Sequence, residues 1–105
     1  MAFKDDYDFE HLKNEAEKLV LDELERQLEA CSVPVCKCND CVLDMAAMSL
    51  NTVKPLYGVS LLGSLYTSAA MDKKYTSSVQ DAVRKAVDRI RKYPSHDIET
   101  LEAVQ

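Results

Sequence analysis

The stretch CSVPVCKCNDC, residues 31–41, holds all four cysteines of the chain, at positions 31, 36, 38 and 41. Zinc takes four thiolate or imidazole ligands in a tetrahedron, and Cys38-x2-Cys41 has the two-residue spacing common among such sites. Cys36 stands two residues before Cys38. A four-residue gap lets Cys31 close the set from the end of the preceding segment. Cys31, Cys36, Cys38 and Cys41 therefore read as a four-cysteine zinc loop that clamps a first helix to a second. Four ligands from one short loop point to a closed structural site, because catalytic zinc keeps a coordination position open. The competing reading is free thiols, some packed as small hydrophobes. A Cys36–Cys38 disulfide is disfavoured, because a one-residue gap forces awkward geometry.

Working outward, the segment before the loop predicts a helix over about Phe9 to Ala30. Phe9, Leu12, Ala16, Leu19, Val20, Leu24 and Leu28 recur at three- and four-residue spacing, with Asp6 or Asp8 available as a cap. After the loop, Asn39 is placed to cap a second helix, about Asp40 to Leu50, with Asn51 at its end. That helix is apolar on nearly every side apart from Asp44 and Ser49, which predicts burial in the middle of the fold. The segment TVKPLYGVS carries Pro55 and Gly58 and reads as extended or turning. A short helix is expected across about Leu61–Met71. Ser77 and Gln80 fit a capping box for a last helix with a stripe of Val79, Ala82, Val83, Ala86, Val87 and Ile90, stopped by Pro94. The expected fold class is all-α: one domain over residues 1–105, a compact bundle of four to five helices, with residues 1–8 and 98–105 frayed.

The 105 residues are 47% hydrophobic and 30% charged, with only 2 glycines and 3 prolines, so a many-turned β fold is disfavoured. The N-terminus MAFKDDYDFEH is acidic, unlike a signal peptide, and no stretch has the roughly 18 apolar residues of a membrane span. A cytoplasmic location is expected, where clustered cysteines hold metals more often than they form disulfides. The net charge is −5, split unevenly. Residues 1–50 carry five Lys/Arg against twelve Asp/Glu, and residues 51–105 carry eight against six. That balance argues against duplex nucleic acid as a partner. A small anion held by a few cations of the C-terminal half remains open.

No Ser/His/Asp arrangement, paired-carboxylate motif, P-loop or dinucleotide fingerprint is present, so an enzyme is not expected. His11 and His96 read as surface histidines, either one a reserve ligand if a cysteine is unused. Asp44, on an apolar helix, is expected to pair, by orienting the cysteine loop or bridging to Arg84 or Arg89. In the segment 51–57, Tyr57 can pack on the core or, with Lys54, contact a ligand.

The order CKCNDCVLDMAAMSLN, VKPLYGVS, Gly63-Ser-Leu-Tyr66 and a helix closed by Tyr-Pro-Ser-His-Asp resembles the late-competence ComFB family of small bacterial proteins. Cys41, Asp44, Leu50-Asn51, Pro55, Tyr57, Gly63, Tyr66, Pro94 and His96 carry the resemblance, which spans about Leu12 to Asp97. It implies an α-helical homodimer with a cysteine-bound zinc in each protomer, a role among competence functions, and reception of a cyclic dinucleotide, chiefly cyclic di-GMP. Lys54, Tyr57, Arg84, Arg89 and Arg91 are the candidate ligand contacts, since arginine suits phosphates and guanine edges and tyrosine suits stacking. The alternatives are a structural adaptor without a small ligand and a thiol-based sensor in which oxidation ejects zinc.

Overall fold

The computed structural model describes residues 2–59 and 69–96. Two 3-10 turns, Phe3–Asp5 and Phe9–His11, precede β1 (Lys13–Asn14) and α1 (Ala16–Ala30). Then come α2 (Asn39–Thr52), β2 (Tyr57–Gly58) and α3 (Lys73–Lys92). The cysteine loop joins α1 to α2, as expected. The helix expected across Leu61–Met71 lies outside the described residues, apart from 69–71, which are helical.

The first helix starts seven residues later than its apolar spacing suggests. Phe9 and Leu12 have no core to face and stand 42% and 46% exposed. Asn14, rather than Asp6 or Asp8, makes the start. Its side-chain carbonyl accepts the Ala16 N–H at 3.1 Å and the Leu56 N–H at 2.8 Å. Beside it the Glu15 N–H donates to the Leu56 carbonyl at 2.9 Å. An Asx turn of this kind satisfies a backbone donor that the helix cannot. The same side chain fastens the helix entry to the segment after α2, where β1 and β2 pair antiparallel with Lys13 opposite Gly58 and Asn14 opposite Tyr57. This two-stranded pair is the one departure from an all-α chain among the described residues. Asn14→Ala should remove about 1–2 kcal/mol and lower the melting temperature by about 4–16 °C in a circular-dichroism melt. An unchanged melt would show that Asn14 fastens nothing.

α3 packs on both α1 and α2, which also pack on each other. Val20 and Leu24 of α1, Cys41 and Met45 of α2, and Val83 and Ile90 of α3 meet in one core, each no more than 4% exposed. The stripes expected on the first and last helices are the faces that bury. α2 differs from its expectation. It buries Cys41, Met45, Ala46 and Ser49 but leaves Leu43 59% exposed, so it lies at the side of the bundle rather than in its middle. Ser49 is accommodated in the core because its hydroxyl donates to the Met45 carbonyl at 2.8 Å.

The other boundaries shift for polar reasons. Cys38 caps α2, its Sγ accepting the Cys41 N–H, so Asn39 is already helical. Thr52 and its back-bond to the Met48 carbonyl extend α2 past Asn51. Asp72 caps α3 by accepting from the Lys74 and Tyr75 N–H groups, which places Ser77 inside the helix rather than at its cap. Pro94 does follow the end of α3, at Lys92.

Candidate metal centre

Three cysteines and one histidine converge where the α1–α2 loop, the start of α2 and the segment after α3 meet. The ligand atoms of Cys36, Cys38, Cys41 and His96 all lie within 4.8 Å of one another. Cys38 is the cap of α2 and Cys41 is one turn in, so the helix itself sets this pair side by side, with the Cys41 N–H on the Cys38 Sγ at 3.4 Å. That N–H holds the Cys38 thiol below the usual cysteine range, as expected for a thiolate at a helix N-terminus. On Cys36 the Cys38 backbone N–H pulls the thiol downward. Hydrogen bonding with the Cys38 side chain, burial, the Cys41 side chain and the Cys38 charge outweigh it and push the group up.

His96 arrives from the far end of the chain. Its Nε2 lies 3.1 Å from the Cys36 Sγ, and its Nδ1 is buried without a hydrogen-bond partner among the described residues. Pro94 ends α3 and turns the chain back over α2. Ser95 then fixes the turn twice. Its N–H donates to the Cys41 Sγ at 3.4 Å, and its hydroxyl donates to the Asp44 carboxylate at 2.6 Å.

Several expectations change here. His96 is a member of the group, not a surface histidine, whereas His11 is exposed. Cys31 is not in the group: its Sγ donates to the Val33 carbonyl at 3.3 Å, two residues along. Asp44 pairs with Ser95 rather than with Arg84 or Arg89, since Arg84 is engaged by Asp81 and Arg89 lies 5.8 Å from the Tyr93 ring. Asp44 still has an orienting part, exerted on the histidine-bearing turn rather than on the cysteine loop.

The donor set fits a tetrahedral thiophilic ion. Three sulfurs and an imidazole nitrogen form a common structural zinc set, with bonds of about 2.0–2.3 Å that imply donor–donor edges of about 3.5–3.8 Å. The 4.8 Å limit needs only a small contraction. Asp44→Ala should loosen the turn that carries His96 and weaken metal binding by about tenfold, in the range seen when outer partners of metal ligands are removed. Competition against a chromophoric chelator measures this, and equal affinities would show that Ser95 needs no anchor.

The five candidate ligand contacts fall in three places. Lys54 and Tyr57 lie by β2, where Tyr57 is 62% exposed and lines a cleft of about 510 Å³ with Leu12 and Glu17. Tyr57 is therefore not packed on the core. Arg84 and Arg91, seven residues apart on α3, line a groove of about 500 Å³ against Arg26, Gln27 and Cys31 of the α1 side. Arg89 points roughly 140° away from Arg84 around the helix. Asp81 and Asp88 neutralise part of the arginine charge; the Arg84 and Lys85 hydrogen bonds hold the Asp81 carboxyl below its ordinary range.

These features define a small helical protein built around a cluster of three cysteines and one histidine. The family model for the late competence development protein ComFB matches residues 13–94, and the chain belongs to that family. The solved structure of the late competence protein ComFB from Bacillus subtilis is 27% identical and superposes with a TM-score of 0.67, covering 81% of this chain and 93% of that one. No curated protein matches the chain. Among the described residues, no helix is long and apolar enough to cross a membrane.

Proposed function

We propose that this chain is a non-catalytic, zinc-stabilised homodimeric protein of the cytoplasm that receives cyclic di-GMP, or a related cyclic dinucleotide, and relays it to a protein partner in competence or allied signalling. The observation that carries the zinc assignment is the convergence of Cys36, Cys38, Cys41 and His96 from two distant parts of the chain. Thiolates suit zinc, and a site filled by four protein ligands leaves no position for a substrate. The metal's part is to lock the end of α3 onto the start of α2.

The α1–α3 groove supports the ligand reading. Arg26, Arg84 and Arg91 line it beside Gln27, with Val33 and Val87 as apolar floor. Guanidinium forks match phosphate oxygens and guanine edges. Lys54 and Tyr57 lie by β2 and would contact a second ligand or none. A dimer is supported by the apolar side chains that the single chain leaves in solvent, Leu43 of α2 and Leu21 of α1 among them.

The test is native mass spectrometry of protein purified without added metal, followed by calorimetric titration with cyclic di-GMP. A dimer carrying two zinc ions is expected, with binding that Arg84→Gln plus Arg91→Gln weakens at least about tenfold. A zinc-loaded dimer that ignores the nucleotide leaves a structural adaptor. A metal-free chain that folds equally well overturns the zinc assignment.

A further inference from the structure

Residues 2–12 precede the part of the chain that the family model matches, and none of them is buried in its own protomer. They are nonetheless organised. Phe3, Tyr7 and Phe9 gather into one aromatic cluster, with ring centroids 4.9, 5.8 and 6.0 Å apart. The two 3-10 turns hold these rings together while leaving them 69%, 58% and 42% exposed. Asp5, Asp6, Asp8 and Glu10 alternate with the rings. Three pre-gathered rings are a costly surface to leave in water, and their mutual packing lowers the entropy lost on docking.

The carboxylates select the partner. They repel phosphates, and with them nucleic acid and anionic lipid, and they favour a cationic surface with apolar ground between its charges. Exposed lysines with apolar ground between them stand at the same end of this molecule, alongside Asp72 and the Glu10, Glu15 and Glu17 carboxylates near Tyr57. β1 pairs with β2 at the root of the arm. The Tyr75 hydroxyl donates to the Lys54 carbonyl at 2.8 Å, which brings the start of α3 to that end as well. Lys54, Lys73 and Lys74 are exposed there and make no ion pair among the described residues. Met71 and Tyr57, 80% and 62% exposed, supply apolar ground.

We infer that the N-terminal arm is a dimer clasp: Phe3, Tyr7 and Phe9 dock on a second copy of the chain, between its β2 segment and the start of its α3. A two-fold interface must contain both the docking element and its receptor, because each protomer gives what it receives. The end that carries the arm and the lysines together meets that condition. At the usual area per ring, the exposed parts of one arm come to roughly 250–420 Å². Two arms and the surfaces they cover bury about 1,000–1,700 Å², which overlaps the range of stable specific interfaces.

The inference adds a specific surface to the dimer reading above and rests on it. The test is sedimentation equilibrium of the full chain against Phe3→Ser/Tyr7→Ser/Phe9→Ser. The triple variant should self-associate at least about tenfold more weakly, with unchanged metal content and far-UV circular dichroism, since these side chains touch no core. A charge exchange makes the assignment specific. Asp5→Lys/Asp6→Lys and Lys73→Glu/Lys74→Glu should each dimerise poorly alone and recover when mixed. A parent dimer that the ring variant leaves intact overturns the clasp and spares the dimer reading. A parent that stays monomeric at every concentration overturns both. A ring variant that dimerises normally but loses affinity for an amphipathic lysine–leucine helical peptide assigns the arm to a different protein and also overturns the clasp.

Discussion

Cys38→Ser is expected to strip the proposed zinc from the protein and lower its melting temperature by more than about 10 °C. The loss is that of one ligand and, through it, of the metal. Serine is a poor zinc ligand, and structural zinc sites of this kind contribute folding energy directly, on the order of 10 kcal/mol in the smallest domains. Here Met45, Val20 and Val83 are buried in a hydrophobic core apart from the ligands, so only part of such an energy is at stake. A loss of about 3 kcal/mol already corresponds to roughly 12–24 °C in a domain near this size. Serine can still accept the Cys41 N–H as a helix cap, which assigns the loss to the metal rather than to the cap. Chelation of the parent protein should reproduce the shift, and added zinc should reverse it. A serine variant that melts with its parent would remove the metal from the account of stability.

The second large contrast is between His96 and Cys31. His96→Ala should weaken metal binding by more than about a hundredfold, exceeding the effect of disturbing an outer partner. Cys31→Ser should keep one metal per chain at parental affinity, because the Cys31 Sγ is turned to the Val33 carbonyl. Cobalt substitution gives an independent view: a three-sulfur, one-nitrogen spectrum is expected, unchanged by Cys31→Ser. Loss of metal in the Cys31 variant together with retention in the His96 variant would restore the four-cysteine set. Low pH should release the metal, since every donor binds in its deprotonated form.

The helical stripes were legible because burial here follows a 3.6-residue period: Val20, Leu24 and Leu28, and Val79, Val83 and Ile90, are the residues that meet in the core. The helix ends were less legible, because several polar residues competed for each cap. Asn14 defeated Asp6 and Asp8 through a second bond to Leu56, and nothing local records a partner 42 residues away. Cys38 and Cys41 could be read as neighbours from spacing alone, since a capping residue and the residue three later share the first turn, and Cys36 stands two residues before that cap. Cys31 misled because adjacency in sequence counted in its favour, yet α1 ends one residue before it and the chain turns at Val33. His96 was legible as a reserve ligand, but its place depends on how α3 crosses α2. A signal lay beside it in Pro94, which ends the helix and turns the chain back.

The distance between Cys36 and His96 along the chain has a consequence for synthesis. Residues 37 to 95, with all of α2 and α3, lie inside the loop that a bound ion closes. A covalent link around a loop of that size would lower the entropy of the unfolded chain enough to matter by about 4 kcal/mol, and a slowly exchanging metal acts in the same sense. The loop shuts only after the ribosome has delivered residue 96. A chain cut short before His96 would keep Cys36, Cys38 and Cys41 of the group but lack its imidazole, so a bound ion would act as an end-of-line inspection that such a fragment fails.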